Sequence, residues 1–215
     1  MEQSSMHLML LQSLVFLLTW ASIDCYVSRH GPIPQARTVT KVNSWLYSAV
    51  SFVLVVLILS PSHDKLARHL YHASKFYEYV DIMGVRAGGK SIDLHFAFHH
   101  STTPYLTYFR VLQHSEGWKP FAAMNAFHHV LMYAYLGGAS LFRPMLDVTG
   151  SAQLLVGIAS DMWVVYGKFA SGQGVLWPNI LSMMLLGTYF SLWVRDLKIR
   201  ARDRSPTQEK KGKEI

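Results

Sequence analysis

Cysteine and charge are both scarce in this chain of 215 residues. Cys25 is its only cysteine, so no disulfide can form within one chain and redox chemistry is not indicated. Charged residues make up 15% of the sequence, against about 25% in a typical soluble domain, and 51% of the residues are hydrophobic. The composition therefore excludes a small disulfide-stapled domain and predicts a membrane protein.

Two apolar stretches are long enough to cross a bilayer, which takes about 20 residues. The first runs from Leu8 to Ile23 and continues to Tyr26, and the second runs from Trp45 to Leu59. No lysine or arginine precedes the first stretch, whereas a signal peptide begins with a positively charged region. We therefore expect the first stretch to be a retained helix.

The rest of the chain contains apolar segments that polar residues interrupt. They are Phe76–Val85, Leu94–Leu112, Phe121–Phe142, Gln153–Phe169 and Val175–Val194, with glycine- and proline-containing breaks between them. Together with the first two stretches they predict an all-α integral membrane protein, with about seven transmembrane helices in a single bundle. We expect one transmembrane domain over residues 1–201 and a basic cytosolic tail over 202–215.

The net charge of +7 does not indicate nucleic-acid binding, because eight basic residues follow the last apolar segment. Such a cluster beside a membrane usually marks the cytosolic side. With seven crossings, the loop with Arg29, Arg37 and Lys41 and the loop with Arg86 and Lys90 are then cytosolic too. Lys65 and Arg68 fall on the opposite side, against this rule.

Histidines and other polar residues are concentrated in two of the predicted spans, where they are costly and usually functional. His95, His99 and His100 share one broad helical face, and Asn125, His129, Met132 and Tyr133 form a stripe on another. Two such faces predict a histidine-rich pocket inside an apolar bundle. The six histidines at segment ends or in loops are expected to be structural: His7, His30, His63, His69, His72 and His114.

Three motifs in order make the chain resemble the ELO family of very-long-chain fatty-acid elongases. Lys75–Asp81 resembles the family's K-x-x-E-x-x-D box, and His99-His100 resembles the end of its H-x-x-H-H box. Asn125–Tyr135 fits the N-x-x-x-H-x-x-M-Y-x-Y box in every specified letter. The resemblance covers roughly Lys75 to Gln153, together with the hydropathy of the remaining chain.

The sequence also departs from the family pattern. Phe96 stands where the first histidine of the H-x-x-H-H box belongs, and His95 lies one place early, so it points elsewhere unless a π-bulge corrects the register. Ile82 replaces the threonine expected after Asp81. Of the later T-x-x-Q-x-x-Q pattern only Gln153 remains, with Val156 at the second glutamine.

The resemblance implies condensation of a long-chain acyl-CoA with malonyl-CoA to a 3-ketoacyl-CoA and CO2, the first step of fatty-acid elongation. It implies that His99 accepts the acyl group and that His129 orients the malonyl unit or stabilises an oxyanion. His100 and His95 position the pair. Asn125 and Tyr133 assist them. These two CoA esters are the substrates, and no metal or other cofactor is expected.

The resemblance and the local pattern together give the candidate substrate-binding residues. Lys75 and Glu78, at i and i+3, can pair along one face, which favours a buried structural ion pair. Arg86 and Lys90 could bind CoA phosphates at the cytosolic mouth. The full set is Lys75, Glu78, Asp81, Arg86, Lys90, Met132, Tyr135 and Gln153. Candidates for closing the far end of an acyl tunnel are Trp163, Tyr166, Tyr189 and Trp193.

Two other functions stay open. A histidine-box di-iron desaturase or hydroxylase would use His95, His99 and His100, although the remaining histidines do not complete its set. A catalytically inactive, lipid-binding relative is favoured by Phe96 and Val156, and the complete Asn125–Tyr135 box argues against it.

The tail ends in Lys211-Gly212-Lys213-Glu214-Ile215, which resembles a K-x-K-x-x retrieval signal and predicts the endoplasmic reticulum membrane. Expected partners are membrane lipid and other fatty-acid elongation enzymes, with no nucleic acid. A homodimer is left open.

Overall fold

The computed structural model describes residues 2–203, and in this part of the chain all regular structure is helical. The helices are α1 (Glu2–His30), α2 (Ala36–Leu59), α3 (Asp64–Tyr77), α4 (Tyr79–Ala87), α5 (Leu94–Thr107), α6 (Trp118–Gly137), α7 (Arg143–Ser171) and α8 (Trp177–Asp203). Glu78 alone separates α3 from α4, so the two helices form one bent segment. Residues 2–203 thus form seven helical segments, and the prediction of an all-α bundle is confirmed.

Within the described residues, three helical stretches are long and apolar enough, by length and composition, to cross a membrane. They are His7–His30, Ala36–Leu59 and Ser140–Ser171. The lipid-facing side of the bundle shows in the exposed apolar residues, which include Leu14, Phe52, Trp163 and Tyr166. Exposing this many apolar side chains to water would cost free energy. Contact with lipid tails carries no such cost, because the tails are equally apolar.

Six of the seven segments close into a ring. α2 packs against α6, α6 against α7, α7 against α8, α8 against α5, α5 against α3, and the bent segment α3–α4 against α2. α1 lies outside the ring on α4 and α5. A ring of this kind surrounds an interior that side chains from every wall can reach.

Successive segments run in opposite directions, so the loops are divided between two ends of the bundle. At the carboxyl-terminal end, where α8 finishes, the Ile33 amide donates to the Ala87 carbonyl at 2.9 Å, and Arg200 pairs with Asp147 at 3.4 Å. At the opposite end, Lys119 pairs with Asp64 at 3.1 Å. Arg37, in the first turn of α2, and Lys90, in the loop before α5, thus share an end with the basic part of α8, as the charge pattern predicts.

Several predicted boundaries differ from the structure for identifiable reasons. The predicted Phe121–Phe142 segment ends early because Gly138 has φ of 121°, which stops α6 at Gly137. Pro144, which belongs to one of the proline-containing breaks in the sequence pattern, lies in the first turn of α7, where proline is tolerated. α8 continues to Asp203, past the predicted start of the tail at 202. The rest of that tail, with the K-x-K-x-x sequence, lies outside the described residues.

The short Phe76–Val85 segment belongs to the longer bent segment Asp64–Ala87. Its polar residues hide it from a hydropathy pattern, yet Lys75 and Glu78 are 2% and 0% exposed. A buried ion pair therefore takes the place of apolar residues in the middle of this crossing.

α5 contains Pro104, which cannot donate to the carbonyl of His100. Beyond it the helix continues as a π-helix, Tyr108–Gln113. The Thr107 hydroxyl donates to the carbonyls of Thr103 and Pro104, both at 3.1 Å, and so satisfies backbone groups in this irregular stretch. The π-helix lies after the histidines, so the register from His95 to His100 is that of an ordinary α-helix.

Candidate active site

A cavity of about 640 Å³ lies inside the ring and opens toward the carboxyl-terminal end. α5 contributes His95, His99 and His100 to its lining, and α6 contributes His128 and His129. The remaining lining residues are Asp93, Phe96, Met132, Leu136, Gly150, Gln153, Leu154, Trp193, Arg195, Asp196, Ile199 and Arg200. The two predicted histidine faces therefore meet in one pocket.

Glu78 is the centre of a buried charge cluster behind this cavity. Its Oε1 accepts from Lys75 Nζ at 2.7 Å and from the Tyr47 hydroxyl at 3.0 Å. The same oxygen is 3.3 Å from His129 Nδ1, and Oε2 is 3.7 Å from His100 Nδ1. One carboxylate, located at the bend between α3 and α4, thus faces an imidazole from each of the two histidine helices.

Asn125 connects this cluster to α7. Its Oδ1 accepts from Lys75 Nζ at 2.7 Å and from the Tyr71 hydroxyl at 2.9 Å. These bonds direct its Nδ2 toward Gln153 Oε1, at 2.7 Å, and His129 Nε2, at 3.5 Å. Asn125 and Glu78 therefore hold the two ring nitrogens of His129, which is 5% exposed.

His95 and Phe96 both line the cavity, and only His95 carries an imidazole. His95 Nδ1 is 3.0 Å from Asp196 Oδ2 on α8, and its ring centroid is 6.1 Å from that of His99. The Phe96 ring packs edge-on against His100 at 4.4 Å. His95 thus reaches the cavity near its mouth, while an apolar ring occupies the position of the family histidine.

Some predicted site residues do not line the cavity. Arg86 pairs with Asp24 at 2.5 Å, and Lys90 lies exposed in the loop before α5. The guanidinium carbon of Arg143 lies 6.0 Å from the centroid of the Tyr135 ring. α4 and the outer side of α6 thus turn Arg86 and Tyr135 toward other partners, and Lys90 lies at the surface.

Asp81 and Tyr133 form a second polar contact beside the site. The Tyr133 hydroxyl donates to Asp81 Oδ2, and Asn43 Nδ2 donates to Asp81 Oδ1 at 3.1 Å. The Tyr133 ring packs against His129 at 5.5 Å. Tyr133 therefore supports the His129 ring, and its hydroxyl is engaged with Asp81 instead of reaching the cavity.

The mouth of the cavity carries charged residues that the motifs do not identify. Arg195, Asp196 and Arg200 of α8 lie there, opposite Asp93. The Arg200 guanidinium is 4.9 Å from the Trp193 ring centroid. The only sequence signal for these residues is the basic cluster after the last apolar segment, which charge patterning assigns to membrane topology.

Tyr189 packs behind His99, away from the mouth of the cavity, and does not itself line the cavity. Tyr189 is 1% exposed, its hydroxyl is 2.6 Å from Thr102 Oγ1, and its ring lies 4.8 Å from His99. Behind it lies an apolar cluster with Leu106 and Leu186. Of the four predicted tunnel-closing residues, Tyr189 and Trp193 face the interior. Trp163 and Tyr166, 78% and 68% exposed, face outward.

No three histidine, cysteine, aspartate or glutamate side chains in the described part of the chain are grouped so that they could hold a metal ion. The arrangement instead offers imidazoles, a buried carboxylate and amide groups around a cavity. Such groups suit nucleophilic and acid–base chemistry on a neutral electrophile.

The sequence matches the ELO: GNS1/SUR4 family over residues 60–196, which is more than half of the chain. Comparisons with curated proteins and with solved structures found no match. The matched region begins just before α3 and ends at Asp196, so it contains every residue that lines the cavity except Ile199 and Arg200. The chain therefore belongs to the ELO (GNS1/SUR4) family, whose members are generally elongase condensing enzymes of fatty-acid synthesis.

Proposed function

We propose that the chain condenses a long-chain acyl-CoA with malonyl-CoA to give a 3-ketoacyl-CoA, CO2 and free CoA. The observation that carries this proposal is the single cavity that five histidines line, backed by the buried Glu78. An apolar interior accommodates an acyl chain, and the imidazoles stand where a thioester carbonyl would enter from the mouth. Family membership supports the reaction class.

In the first half-reaction, His99 attacks the thioester carbon. A bond forms from the imidazole nitrogen to carbon, the carbon–sulfur bond breaks, and CoA leaves with the electron pair. Covalent transfer of this kind divides one difficult step into two easier ones. His99 lines the cavity, and its buried Nδ1 has no hydrogen-bond partner in the described structure, so Nε2 is its cavity-side nitrogen.

In the second half-reaction, malonyl-CoA loses CO2 and the resulting enolate carbon attacks the acyl carbon. The carbon–nitrogen bond then breaks and its electron pair returns to the imidazole. His129, held by Glu78 and Asn125, orients the malonyl thioester. Groups that are already oriented stabilise developing charge without reorganising during the reaction. The Glu78 carboxylate, 3.3 Å from His129 Nδ1 and 3.7 Å from His100 Nδ1, acts on both imidazoles through its charge.

The cationic mouth supports entry of CoA. Arg195 and Arg200 lie where the phosphates of a CoA ester would remain when its acyl chain is in the cavity. We propose that this end of the bundle faces the cytosol, in the endoplasmic reticulum membrane, because the loops with basic residues share it. Other elongation enzymes would then act on the product.

One structural feature favours a second candidate, an inactive lipid-binding relative. Phe96 fills the position of a family histidine with an apolar ring that contacts His100. A protein that retains the cavity but has lost an imidazole could bind acyl chains without turning them over.

A direct assay tests both functions. Purified protein in detergent is incubated with labelled malonyl-CoA and saturated acyl-CoA primers from palmitoyl-CoA to behenoyl-CoA. We expect labelled 3-ketoacyl-CoA from the parent, a loss on the order of 10³-fold or more in His99→Ala, and no change in the matched control His69→Ala, whose ring is exposed. Absence of product with every primer, from folded protein that still binds acyl-CoA, would support the inactive relative. Stoichiometric iron would instead support the desaturase or hydroxylase.

A further inference from the structure

His128 is a cavity histidine that the proposed condensation does not use. It occupies one of the open positions of the N-x-x-x-H-x-x-M-Y-x-Y box, directly before His129. It is 5% exposed and lines the same cavity as His99 and His129. A buried polar side chain at the wall of a reactive cavity needs either a structural or a chemical explanation.

The hydrogen bonds around His128 determine which of its ring nitrogens carries the proton. His128 Nδ1 is 2.8 Å from Thr149 Oγ1, and the Thr149 hydroxyl donates to the Met145 carbonyl at 2.9 Å. Since a hydroxyl has one hydrogen, Thr149 can only accept from His128. Nδ1 therefore carries the proton, and Nε2 of the neutral ring has a free electron pair.

The free nitrogen of His128 has no protein partner within the described residues, where Thr149 is the one group that hydrogen-bonds to the ring. Nδ1 points to α7, so Nε2, at the other side of the ring, is left at the cavity wall. His129 differs, because Asn125 Nδ2 approaches its Nε2 at 3.5 Å. An imidazole that is oriented through Nδ1 and free at Nε2 has the arrangement of a general base.

Water can reach this nitrogen. The cavity volume of about 640 Å³ is many times the roughly 30 Å³ that one water molecule occupies in the liquid. The cavity opens to a charged mouth, and its wall offers Gln153 and several imidazoles as hydrogen-bond partners. A water molecule on His128 Nε2 would share the cavity with a bound thioester.

We propose that the protein also hydrolyses long-chain acyl-CoA, with His128 as the general base. Nε2 takes a proton from water, the water oxygen forms a bond to the thioester carbon, and the carbon–sulfur bond breaks with its electron pair on sulfur. The imidazolium then gives its proton to the thiolate. The products are a free fatty acid and CoA. This proposal takes its substrate class from the proposed function, but it needs neither malonyl-CoA nor an acylated histidine.

Thr149 is a positioning residue in this reaction, since it acts only through His128. The contact also joins α6 to α7, so a purely structural role for His128 must be tested against the chemical one. Asparagine and glutamine separate the two roles. His128→Asn keeps a donor near Nδ1 for Thr149 and removes the base, whereas His128→Gln places a non-basic acceptor near Nε2.

The experiment measures hydrolysis of labelled palmitoyl-CoA without malonyl-CoA, in water enriched in oxygen-18. We expect repeated turnover to CoA and a fatty acid that carries the heavy isotope. Both His128→Asn and His128→Gln should lower the rate about 10²-fold or more. Thr149→Val should lower kcat with little change in KM, and Thr149→Ser should restore it.

A matched control is built into the chain. His72 Nδ1 is 2.8 Å from Thr107 Oγ1, whose hydroxyl donates to backbone carbonyls as that of Thr149 does, but His72 does not line the cavity. His72→Asn should therefore hydrolyse palmitoyl-CoA at the parent rate.

The outcomes separate this proposal from the proposed function. The hydrolase proposal would be overturned if the parent protein did not hydrolyse palmitoyl-CoA. It would also be overturned if folded His128→Asn hydrolysed palmitoyl-CoA at the parent rate. Either result would count even if condensation occurs. Hydrolysis that depends on His128, without 3-ketoacyl-CoA formation, would support it and overturn condensation. If the His128 variants do not fold, the Thr149→Val and Thr149→Ser pair decides: equal hydrolysis rates in these two variants and the parent would overturn the proposal.

Discussion

The bundle contains two buried ionic clusters that look alike at first and differ in one respect. The site cluster is Lys75 and Glu78, 2.7 Å apart, with Asn125, His100 and His129 around them. The distal cluster, nearer the opposite end of the bundle, is Arg110 and Asp161, 2.5 Å apart, with Asn179 and Lys168. Each is centred on a cation–carboxylate pair with an asparagine beside it, in an apolar surrounding.

The two clusters differ in how completely their polar atoms are paired. In the described residues, Glu78 Oε2 and the Nδ1 atoms of His99 and His100 are buried without a hydrogen-bond partner. In the distal cluster, Asp161 Oδ1 accepts from both Arg110 and Asn179, and Arg110 Nη1 donates to the His114 carbonyl at 2.8 Å. A buried unpaired polar group costs about 1–3 kcal/mol, and such costs are concentrated at functional sites. We therefore expect the site cluster to serve chemistry and the distal cluster to serve stability.

The largest effect on turnover is expected for Glu78→Gln. Glutamine keeps the size of the side chain, but it removes the charge that orients two imidazoles. We expect kcat for condensation to fall on the order of 10³-fold, by analogy with loss of the orienting carboxylate of a catalytic triad, with a smaller change in KM. The measurement is the labelled malonyl-CoA assay.

Glu116→Gln is the matched control for this prediction, because Glu116 is a carboxylate of the opposite end that pairs with Lys168 at 3.7 Å and is largely exposed. Its kcat should equal that of the parent. A folded Glu78→Gln protein with parent-like kcat would show that the site cluster, like the distal cluster, is only structural.

The largest effect on stability without an effect on chemistry is expected for Asp161→Ala. The variant leaves the Arg110 guanidinium buried without its carboxylate, which costs about 3–5 kcal/mol. Denaturant unfolding in detergent should show this loss, while kcat per folded molecule stays at the parent value. A stable variant with lowered kcat would instead assign the distal cluster to the site.

The sequence predicts the bundle and the histidine pocket because both depend on strong local patterns. Hydropathy locates the crossings, and helical periodicity brings His99 and His129 to one cavity. The charge pattern alone suggests that Arg86 binds CoA phosphates at the mouth. In the structure Arg86 pairs with Asp24 on α1, and no local sequence pattern links these two residues. Glu78 lies beside His100 and His129 only because the helices close into a ring. The sequence therefore does not reveal that Glu78 is at the centre of the site.

The same limit applies to His128 and Arg200. The box pattern leaves position 128 open, and only the contact with Thr149, 21 residues along the chain, reveals how this imidazole is oriented. Arg200 belongs to a basic cluster whose ordinary explanation is membrane topology. Nothing local to the sequence distinguishes it from Arg202, which lies exposed on the same helix.

An intermediate effect, on specificity, is expected for Tyr189→Ala. Tyr189 packs behind His99 as part of the apolar cluster that lies between the cavity and the distal cluster. Removing its ring should extend the cavity and shift the ratio of kcat/KM toward longer primers by about tenfold, since each added methylene buried contributes about 0.8 kcal/mol. Tyr166→Ala, which removes an exposed ring, is the control. An unchanged chain-length profile in Tyr189→Ala would show that the acyl chain leaves the cavity in another direction.

The smallest effect is expected for Arg200→Ala, at the mouth of the cavity. Arg200 lies against Trp193, donates to the backbone carbonyl of Asp196 and pairs with the Asp147 carboxylate at 3.4 Å, so part of its charge is already balanced. A partly exposed charge pair contributes about 1 kcal/mol or less, which corresponds to a rise in KM for acyl-CoA of roughly fivefold with kcat unchanged. The rise should shrink as salt increases, because screening weakens exposed ion pairs. Arg202→Ala, on the same helix but outside the cavity, should keep the parent KM. Equal KM values for the two variants would mean that CoA does not contact this face of α8, and its contacts would then have to be sought beside Asp93 and in the loop before α5.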